Sequence, residues 1–424
     1  MWFLFFILPV ILAAYFFYLF IRDPKYGTSP LWLMLSIWML AVGIPQLNLS
    51  RFELPWTWKF LISIAVSLTM FVIGFFVFNK LFTLYPFWKK IKWLNTENVS
   101  IGRLRIVVYG IFALSAIGLW MFYGRVHDFP LLAADPDVFR FQADNQVPGL
   151  INYVAQFARL GVPLAFFLMF WQKFNWKKHW DMVLLGIFGA IAITLFASRT
   201  QIFFIDLLIM AMYWLMRKPN LRQALKFYPL FLLISIVVLA AVPLIRQAKS
   251  YGQDYLPDIT GIDQSKLMPG SKYLLPIYVG VSFNMQALLH AQAYYETHPL
   301  QHGKVSLDPF TNILGLHQFA SHYDLGAIFY SWWNTGTYLF PFVQDFGDAA
   351  FAVIPFLLAG FVTLAWRYWK TSPNFLSINF YAYALFFIVM SIYLSFTVRA
   401  EFYIDLFVLL VIYLFVRSKQ PKLL

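Results

Sequence analysis

The strongest constraint on this chain is a series of apolar segments, each about twenty residues long, that recurs along most of its 424 residues. A helix of about 20 apolar residues crosses the roughly 30 Å hydrocarbon core of a bilayer. Hydrophobic residues make up 61% of the sequence and charged residues 12%, whereas a soluble domain has about 25% charged residues. The sequence therefore predicts an all-α polytopic membrane protein.

The segments predict about eleven transmembrane helices in a single integral membrane domain covering residues 1–424. We place these spans near 1–21, 30–48, 58–79, 105–124, 148–172, 182–198, 200–216, 227–245, 349–366, 378–397 and 402–416. The first segment lacks a basic n-region and a small-residue cleavage site. We therefore interpret it as a spanning helix and not as a signal peptide that is removed.

Basic residues concentrate in alternate connections between these segments. Twenty of the 32 Lys and Arg residues, but only 3 of the 19 Asp and Glu residues, lie in six connections: 22–29, 80–105, 173–181, 217–226, 367–377 and 417–424. Basic connections stay in the cytoplasm. We therefore predict that the N-terminus lies outside and the C-terminus inside. Topology then explains the net charge of +13, and no nucleic acid partner is expected.

Two predicted outer loops are long, at 125–147 and at 246–348. The second contains an apolar stretch, Leu274 to Tyr295, and an aromatic-rich stretch, Ala327 to Val343. Each stretch is expected to form an interfacial helix or a re-entrant segment. The sequence shows no internal repeat of the inverted kind that marks many transporters.

Arg159 is the most informative polar residue within a predicted span. Asn152, Gln156 and Arg159 are spaced i, i+4 and i+7, so they share one helix face. An ionisable side chain in hydrocarbon is costly, and such residues commonly mark functional sites. The alternative is a structural arginine that is satisfied by backbone carbonyls or by Asp206.

Three more arginines lie at the predicted outer ends of spans: Arg199, Arg246 and Arg399. Together with Arg159 they approach the outer membrane surface from four separate spans. Guanidinium groups bind diphosphate bidentately and remain charged at physiological pH. The pattern predicts a cationic pocket, although contact with lipid headgroups also explains each arginine taken singly.

The sequence contains no cysteine, which excludes disulfides and thiolate metal sites. Asp135 and Asp137 form a DxD pair, so a metal-dependent glycosyltransferase is one alternative. We nevertheless expect no metal and no cofactor. Five of the seven histidines lie in the large loop without zinc-binding spacing, and any one of them is a candidate proton acceptor.

Three short segments carry a resemblance to a known family. They are Asn334-Thr-Gly-Thr-Tyr-Leu-Phe-Pro-Phe-Val-Gln-Asp-Phe-Gly347, the Ala197-Ser-Arg-Thr200 hairpin, and Asp137-Val-Phe-Arg140. They resemble bacterial oligosaccharide repeat-unit polymerases, the Wzy-type O-antigen polymerases, and the related O-antigen ligases. The ligase pattern often has a histidine directly before the asparagine, where this chain has Trp333.

The resemblance implies a metal-independent glycosyltransferase with a GT-C-like helical fold in the bacterial inner membrane, acting in polysaccharide and lipopolysaccharide biosynthesis. Such an enzyme transfers a growing glycan from undecaprenyl diphosphate to a hydroxyl of a new lipid-linked repeat unit. Its expected partners are the lipid-linked donor and acceptor, membrane lipids and a chain-length regulator protein. An O-antigen ligase and a lipid-linked oligosaccharide flippase are the alternatives.

The resemblance and the residue pattern together assign roles to particular side chains. Arg159, Arg199 and Arg246 are expected to bind the donor diphosphate, with Arg140 and Arg399 in support. The general base is expected to be His322 or Asp345, with Asp324 as a further alternative. Asn334 and Tyr338 are expected to position sugars, and Gln156 is a further expected substrate-binding residue.

Overall fold

The computed structural model describes the chain except for residues 1, 24, 92–93, 95–98, 197, 218–232, 234–248, 250–251, 253–254, 268–269, 317–324, 332, 334 and 418–424. Within the described residues the regular structure is helical, and no strand is present. The prediction of an all-α protein is therefore confirmed for this part of the chain.

In the described residues, nine α-helices precede the large loop. They are α1 (Trp2–Arg22), α2 (Pro30–Gly43), α3 (Trp58–Leu84), α4 (Ile101–Val126), α5 (Pro136–Gln146), α6 (Gly149–Ala155), α7 (Ala158–Trp171), α8 (Trp176–Leu195) and α9 (Arg199–Arg217). The described parts of the large loop contain four more: α10 (Tyr255–Thr260), α11 (Leu275–Tyr294), α12 (Asp308–Ile313) and α13 (Phe340–Phe346). The chain continues with α14 (Ala350–Thr371), α15 (Phe375–Met390) and α16 (Ala400–Val416).

Eight helical segments of the described chain are long and apolar enough to cross a membrane: Phe5–Arg22, Pro30–Leu47, Trp58–Lys90, Ile101–Val126, Gly149–Trp171, Trp176–Leu195, Thr200–Arg217 and Phe340–Thr371. The apolar helix α15 is shorter, at 16 residues. The protein is thus a multi-pass membrane protein. The predicted count of eleven spans is not reached in the described residues, and all of the predicted span 227–245 except residue 233 lies outside them.

Glycines let neighbouring helices of the bundle approach closely. A Cβ atom added at Gly118 on α4 would lie 2.4 Å from the backbone nitrogen of Ala155, at the end of α6. Ser115, also on α4, donates a hydrogen bond of 2.8 Å to the carbonyl of Ala155. Small residues and hydroxyl bonds of this kind are how helices associate in lipid, where the hydrophobic effect between helices is weak. These contacts fix α6 against α4.

Helix α11 belongs to the large loop but is packed inside the protein. Most of its residues are buried, including the polar Ser282, Asn284 and Gln286. The side-chain amide of Gln286 bonds the backbone of Leu54 through both its oxygen, at 3.1 Å, and its nitrogen, at 3.0 Å. A buried polar side chain is tolerated when it is hydrogen-bonded in this way. The predicted helix at Leu274 to Tyr295 is present, and its buried faces distinguish it from an interfacial helix.

Glu53 lies in the connection between α2 and α3 and extends this polar contact with α11. Its carboxylate accepts hydrogen bonds from the Ser50 backbone nitrogen at 3.0 Å, from the Tyr278 hydroxyl at 2.6–2.7 Å, and from the Ser282 hydroxyl. Burial raises the pKa of Glu53 above its ordinary value, and the bond from Tyr278 opposes that shift. The large loop is thus tied to the bundle by buried hydrogen bonds.

Candidate functional site

A cavity of about 330 Å³ lies at one end of the helical bundle. We call it the arginine cavity, because its lining includes Arg140, Arg159 and Arg399 together with two carboxylates, those of Glu401 and Asp405. Three of the arginines that the sequence analysis singled out therefore lie at one cavity, although α5, α7 and the N-terminal end of α16 supply them separately.

The helix ends around the cavity show which end of the bundle this is. The lining comes from the C-terminal end of α4, the connection after α8, the first two turns of α9 and the first two turns of α16. The cavity therefore lies where α4 and α8 end and where α9 and α16 begin, as expected when successive helices run in opposite directions. The basic connections used to predict topology lie at the opposite helix ends. On that pattern the cavity faces the predicted outer side.

Arg159 is buried, with 4% of its surface exposed, and it forms an ion pair with Asp405. Its Nη2 atom donates a hydrogen bond of 2.9 Å to Oδ1 of Asp405, which also accepts one of 2.8 Å from the hydroxyl of Tyr153. The guanidinium carbon lies 4.8 Å from the centre of the Tyr153 ring, in cation–π distance. The sequence alternative named Asp206 as the partner, whereas the acid in this ion pair is Asp405.

The Nε atom of Arg159 is also buried and has no hydrogen-bond partner among the described residues. A buried donor without a partner is costly and is uncommon in native structures. Because Arg159 lines the cavity while Asp405 and Tyr153 hold its guanidinium, the side chain is placed to donate to an acceptor in the cavity. This arrangement can bind an anion or a polar oxygen.

The predicted single span at 148–172 is broken into two helices at the level of the cavity. Helix α6 ends at Ala155, and α7 begins at Ala158. Pro163 lies inside α7, and because proline has no N–H, the carbonyl of Arg159 four residues earlier lacks its usual helical donor. Gln156 falls in the break, lines the cavity and donates a hydrogen bond of 2.7 Å to Oδ1 of Asn152. The predicted polar face of Asn152, Gln156 and Arg159 does reach one cavity.

Arg140 is carried by α5, a helix that Asp135 caps. The Oδ1 atom of Asp135 accepts a hydrogen bond of 3.1 Å from the backbone nitrogen of Val138. A side-chain oxygen at this position satisfies a free backbone N–H at the helix start. The first aspartate of the DxD pair therefore has a structural role in the helix that presents Arg140. The side chain of Asp137 is outside what the structure describes.

Arg399 occupies the N-cap position of α16 and is exposed. Glu401 follows on the first turn of that helix, also exposed and also lining the cavity. Within the described part of the chain, the carboxylate of Glu401 makes no hydrogen bond or ion pair. The cavity thus contains one carboxylate held by Arg159 and a second that is accessible to a ligand.

The hairpin that the sequence analysis placed at 198–200 is present, since α8 ends at Leu195 and α9 begins at Arg199. Ser198, Thr200 and Gln201 line the cavity and add hydroxyl and amide groups. The side chain of Arg199 itself lies outside the description. Four further predicted site residues lie outside the described residues altogether: Arg246, His322, Asp324 and Asn334.

Asp345 and Tyr338 do not line the arginine cavity. Asp345 is fully buried, and its carboxylate accepts hydrogen bonds from the backbone nitrogens of Val305, at 3.1 Å, and Ser306, at 2.7 Å. Tyr338 is buried, and its ring centre lies 5.6 Å from that of Trp38. Asp345 is thus used by the backbone at 305–306, and Tyr338 packs against Trp38 of α2 and Phe387 of α15. The structure gives no geometric support to Asp345 as a base or to Tyr338 as a sugar ligand.

Asn284 of α11 connects two segments of the cavity wall. Its Nδ2 atom donates to the carbonyls of Ile392, at 3.1 Å, and Tyr393, at 3.0 Å. Its Oδ1 atom accepts from the Trp333 indole at 3.1 Å and from the Thr335 hydroxyl at 3.0 Å. Tyr393 and Thr335 both line the cavity. One buried side chain of the large loop therefore holds both segments.

Sequence reasoning did not assign functions to Tyr153, Glu401 or Asp405. Glu401 and Asp405 were visible as acids at the start of the last predicted span, next to Arg399. Their position at the same cavity as Arg159 depends on the packing of α16 against α4 and α15. No local pattern in these helices encodes that packing.

Among the described residues, no group of three or more His, Asp or Glu side chains is arranged to hold a metal ion. Comparison of the chain with known protein families, with characterised proteins and with solved structures gave no match. The architecture and the cavity define a polytopic α-helical membrane protein with a charged cavity at one end of its bundle.

Proposed function

We propose that this protein is a glycosyltransferase that polymerises oligosaccharide repeat units carried on a lipid diphosphate. The observation that carries the proposal is the arginine cavity, where Arg140, Arg159 and Arg399 come together from three separate parts of the chain. The resemblance of short segments to O-antigen polymerases supplies the class of reaction. The cavity supplies a place where the reaction can occur.

The electrostatics of the cavity suit a diphosphate leaving group. When the glycosidic bond to the lipid carrier breaks, negative charge develops on the phosphate oxygen, and fixed cations stabilise that charge. The lining has three arginines and two carboxylates, which leaves a net positive charge. Helices α9 and α16 also begin at the cavity, and the N-terminal end of a helix carries a partial positive charge.

The acceptor in this reaction is a sugar hydroxyl, which must lose a proton as the new bond forms. Glu401 lines the cavity, is exposed, and follows Arg399 by two residues. We therefore assign the general base to Glu401, in place of Asp345. The hydroxyl and amide groups of Gln156, Thr200 and Gln201 are available to hydrogen-bond sugar hydroxyls.

A volume of about 330 Å³ is at the lower end of the range for small-molecule sites, so the cavity holds the reacting sugar and phosphate groups and not a whole repeat unit. The growing glycan then extends into the outer compartment, and the lipid chain lies in the membrane. This placement rests on the predicted topology, with the N-terminus outside and the C-terminus in the cytoplasm of a bacterial cell.

The test is reconstitution of the full-length protein with undecaprenyl-diphosphate-linked repeat units, read as a glycan ladder on a gel. We expect a ladder that persists in chelator and is lost in Arg140→Gln, Arg399→Gln and Glu401→Gln. Arg125→Gln is the matched control. Arg125 is exposed at the C-terminal end of α4, which is the end that contributes to the cavity, but its side chain does not line the cavity.

Three results would contradict the proposal. An unchanged ladder in the Arg140 and Arg399 variants would remove the cavity from the reaction. Transfer of one preformed glycan to a different acceptor, without a ladder, would indicate a ligase. Movement of the lipid-linked unit across the bilayer without new glycosidic bonds would indicate a flippase, with the arginines as a substrate-binding path.

A further inference from the structure

A second cavity, of about 460 Å³, lies at the opposite end of the bundle, between the first turns of α4 and α8. We call it the basal cavity. Its lining includes Arg105, Tyr109, Gln172, Lys177, Lys178 and Asp181. None of these residues takes part in the proposed glycosyl transfer. Both helices are candidate membrane spans, so the cavity opens where their ends meet the membrane surface.

The charge of the basal cavity favours an anionic ligand. Arg105, Lys177 and Lys178 supply three positive charges, against the single carboxylate of Asp181. The N-terminal ends of α4 and α8 add partial positive charge. Lys177 and Lys178 are exposed, so their ammonium groups are available to a phosphate. This is the chemistry of basic pockets between transmembrane helices that bind phospholipid headgroups.

Two buried polar atoms of the basal cavity lack a hydrogen-bond partner among the described residues. One is the Nε donor of Arg105, which lies 3.4 Å from Oδ2 of Asp181 without a hydrogen bond. The other is the Oδ1 acceptor of Asp181. Other atoms of both side chains are engaged, since Nη2 of Arg105 donates to the Lys178 carbonyl at 2.7 Å and Tyr109 donates to Oδ2 of Asp181. A ligand that satisfies both atoms needs an acceptor and a donor.

Two exposed tryptophans lie at the start of α8, next to the lysines of the basal cavity. Trp176 is 64% exposed, Trp180 is 57% exposed, and Trp180 lines the cavity. Tryptophans of this kind gather where transmembrane helices meet the lipid headgroups. The tryptophans therefore place the basic side chains at the level of the lipid headgroups. Phospholipids are concentrated at this level, so a water-soluble anion must compete with them for the cavity.

We infer that the basal cavity binds the headgroup of an anionic phospholipid that also carries a hydroxyl, which is the chemistry of phosphatidylglycerol. The phosphate accepts from Nε of Arg105 and from Lys177 and Lys178. A headgroup hydroxyl donates to Oδ1 of Asp181. The ammonium group of a serine or ethanolamine headgroup can also donate to Asp181, but the positive charges of Arg105, Lys177 and Lys178 repel it. The site therefore favours a neutral hydroxyl as the donor.

The experiment is native mass spectrometry of the detergent-purified full-length protein titrated with phosphatidylglycerol. We expect one tightly retained lipid, and about a 25-fold weaker affinity in the double variant Lys177→Gln/Lys178→Gln, since each basic residue near a lipid surface contributes about five-fold. Phosphatidylethanol has the same charge but no headgroup hydroxyl. We expect it to bind about ten-fold more weakly, because it cannot satisfy Asp181.

The matched control is Lys89→Gln/Lys90→Gln, which removes two exposed lysines from another basic connection. This control is expected to retain phosphatidylglycerol with wild-type affinity, and thermal unfolding verifies that both double variants fold. Equal loss of lipid in both double variants would overturn the site, because it would show general attraction to positive charge. Competition by free glycerol phosphate at the same concentration would overturn the assignment to a lipid.

Discussion

The buried ion pair between Arg159 and Asp405 gives the sharpest test of the structure. The two side chains are 5% and 6% exposed, and their closest atoms are 2.9 Å apart. Asp405→Leu removes the carboxylate but leaves the guanidinium buried, with its Nε atom already lacking a partner. Loss of one member of a buried pair costs about 3–5 kcal/mol, because the remaining charge is uncompensated. We expect this decrease in the free energy of unfolding.

Removal of both charges should cost much less than the sum of the single changes. Arg159→Met alone leaves a buried carboxylate with only Tyr153 as a donor, so we expect a similar loss of about 3–5 kcal/mol. The double variant Arg159→Met/Asp405→Leu leaves neither charge unpaired. Its stability should therefore return most of the way to that of the wild type, and the cycle gives a coupling energy of about 3 kcal/mol or more.

The assay is denaturant titration of the four proteins in mixed micelles, with helix content as the signal. The exposed pair of Lys59 and Glu296 is the matched control, since its atoms are also close, at 2.6 Å, but its side chains are 45% and 50% exposed. Its coupling energy should stay below about 1 kcal/mol. Additive effects of Arg159→Met and Asp405→Leu, or a coupling no larger than that of the control, would refute the buried pair.

The same cycle separates stability from catalysis. The proposed function requires Arg159 in the arginine cavity, so the double variant should fold and yet form no glycan ladder. A double variant that is both stable and active would restrict Arg159 to a structural role.

Three further predictions concern other parts of the fold. Burial raises the pKa of Glu53 in the folded protein, so protonation of Glu53 favours the folded state. The free energy of unfolding should therefore fall as the pH rises from 4.5 through the raised pKa. Glu53→Gln should remove this pH dependence in unfolding curves measured from pH 4 to 8. Gly118→Val should lower the free energy of unfolding by about 1–3 kcal/mol or prevent folding, because the added atoms force α4 and α6 apart. Gly110→Val is the control and should leave stability nearly unchanged, because atoms added there meet open space. Asp135→Ala should lower the free energy of unfolding by about 1 kcal/mol, whereas Asp135→Asn should change it very little, because asparagine also caps a helix. Equal loss of activity in both variants, restored by added divalent cation, would indicate that Asp135 is a metal ligand instead.

Most of the bundle was predictable because a membrane leaves few options for an apolar segment. The lipid demands helices, and their lengths follow from its thickness. Ten of the predicted spans coincide with helices of the structure, although α15 ends at Met390 where the prediction continued to 397. The break between α6 and α7 was not predicted, and Pro163 does not mark it, because this proline lies inside α7, five residues after that helix begins.

The partners within the site were less predictable, because a helical pattern gives the face of a side chain but not the neighbouring helix. Arg159 was placed on the correct face, yet its partner Asp405 lies 246 residues away along the chain. The surroundings of Asp345 were likewise not predictable. Its segment resembles a family signature, but the carboxylate is used by two backbone nitrogens, and the loop geometry that creates those bonds has no local pattern.

The four hydrogen bonds of Asn284 make two chain segments behave as one body. Trp333 and Thr335 precede α13, whereas Ile392 and Tyr393 follow α15, and the same amide holds both pairs. Because the amide lies in the middle of α11, any outward swing of this wall must carry a twenty-residue helix with it. We therefore expect this wall of the arginine cavity and α11 to move only together.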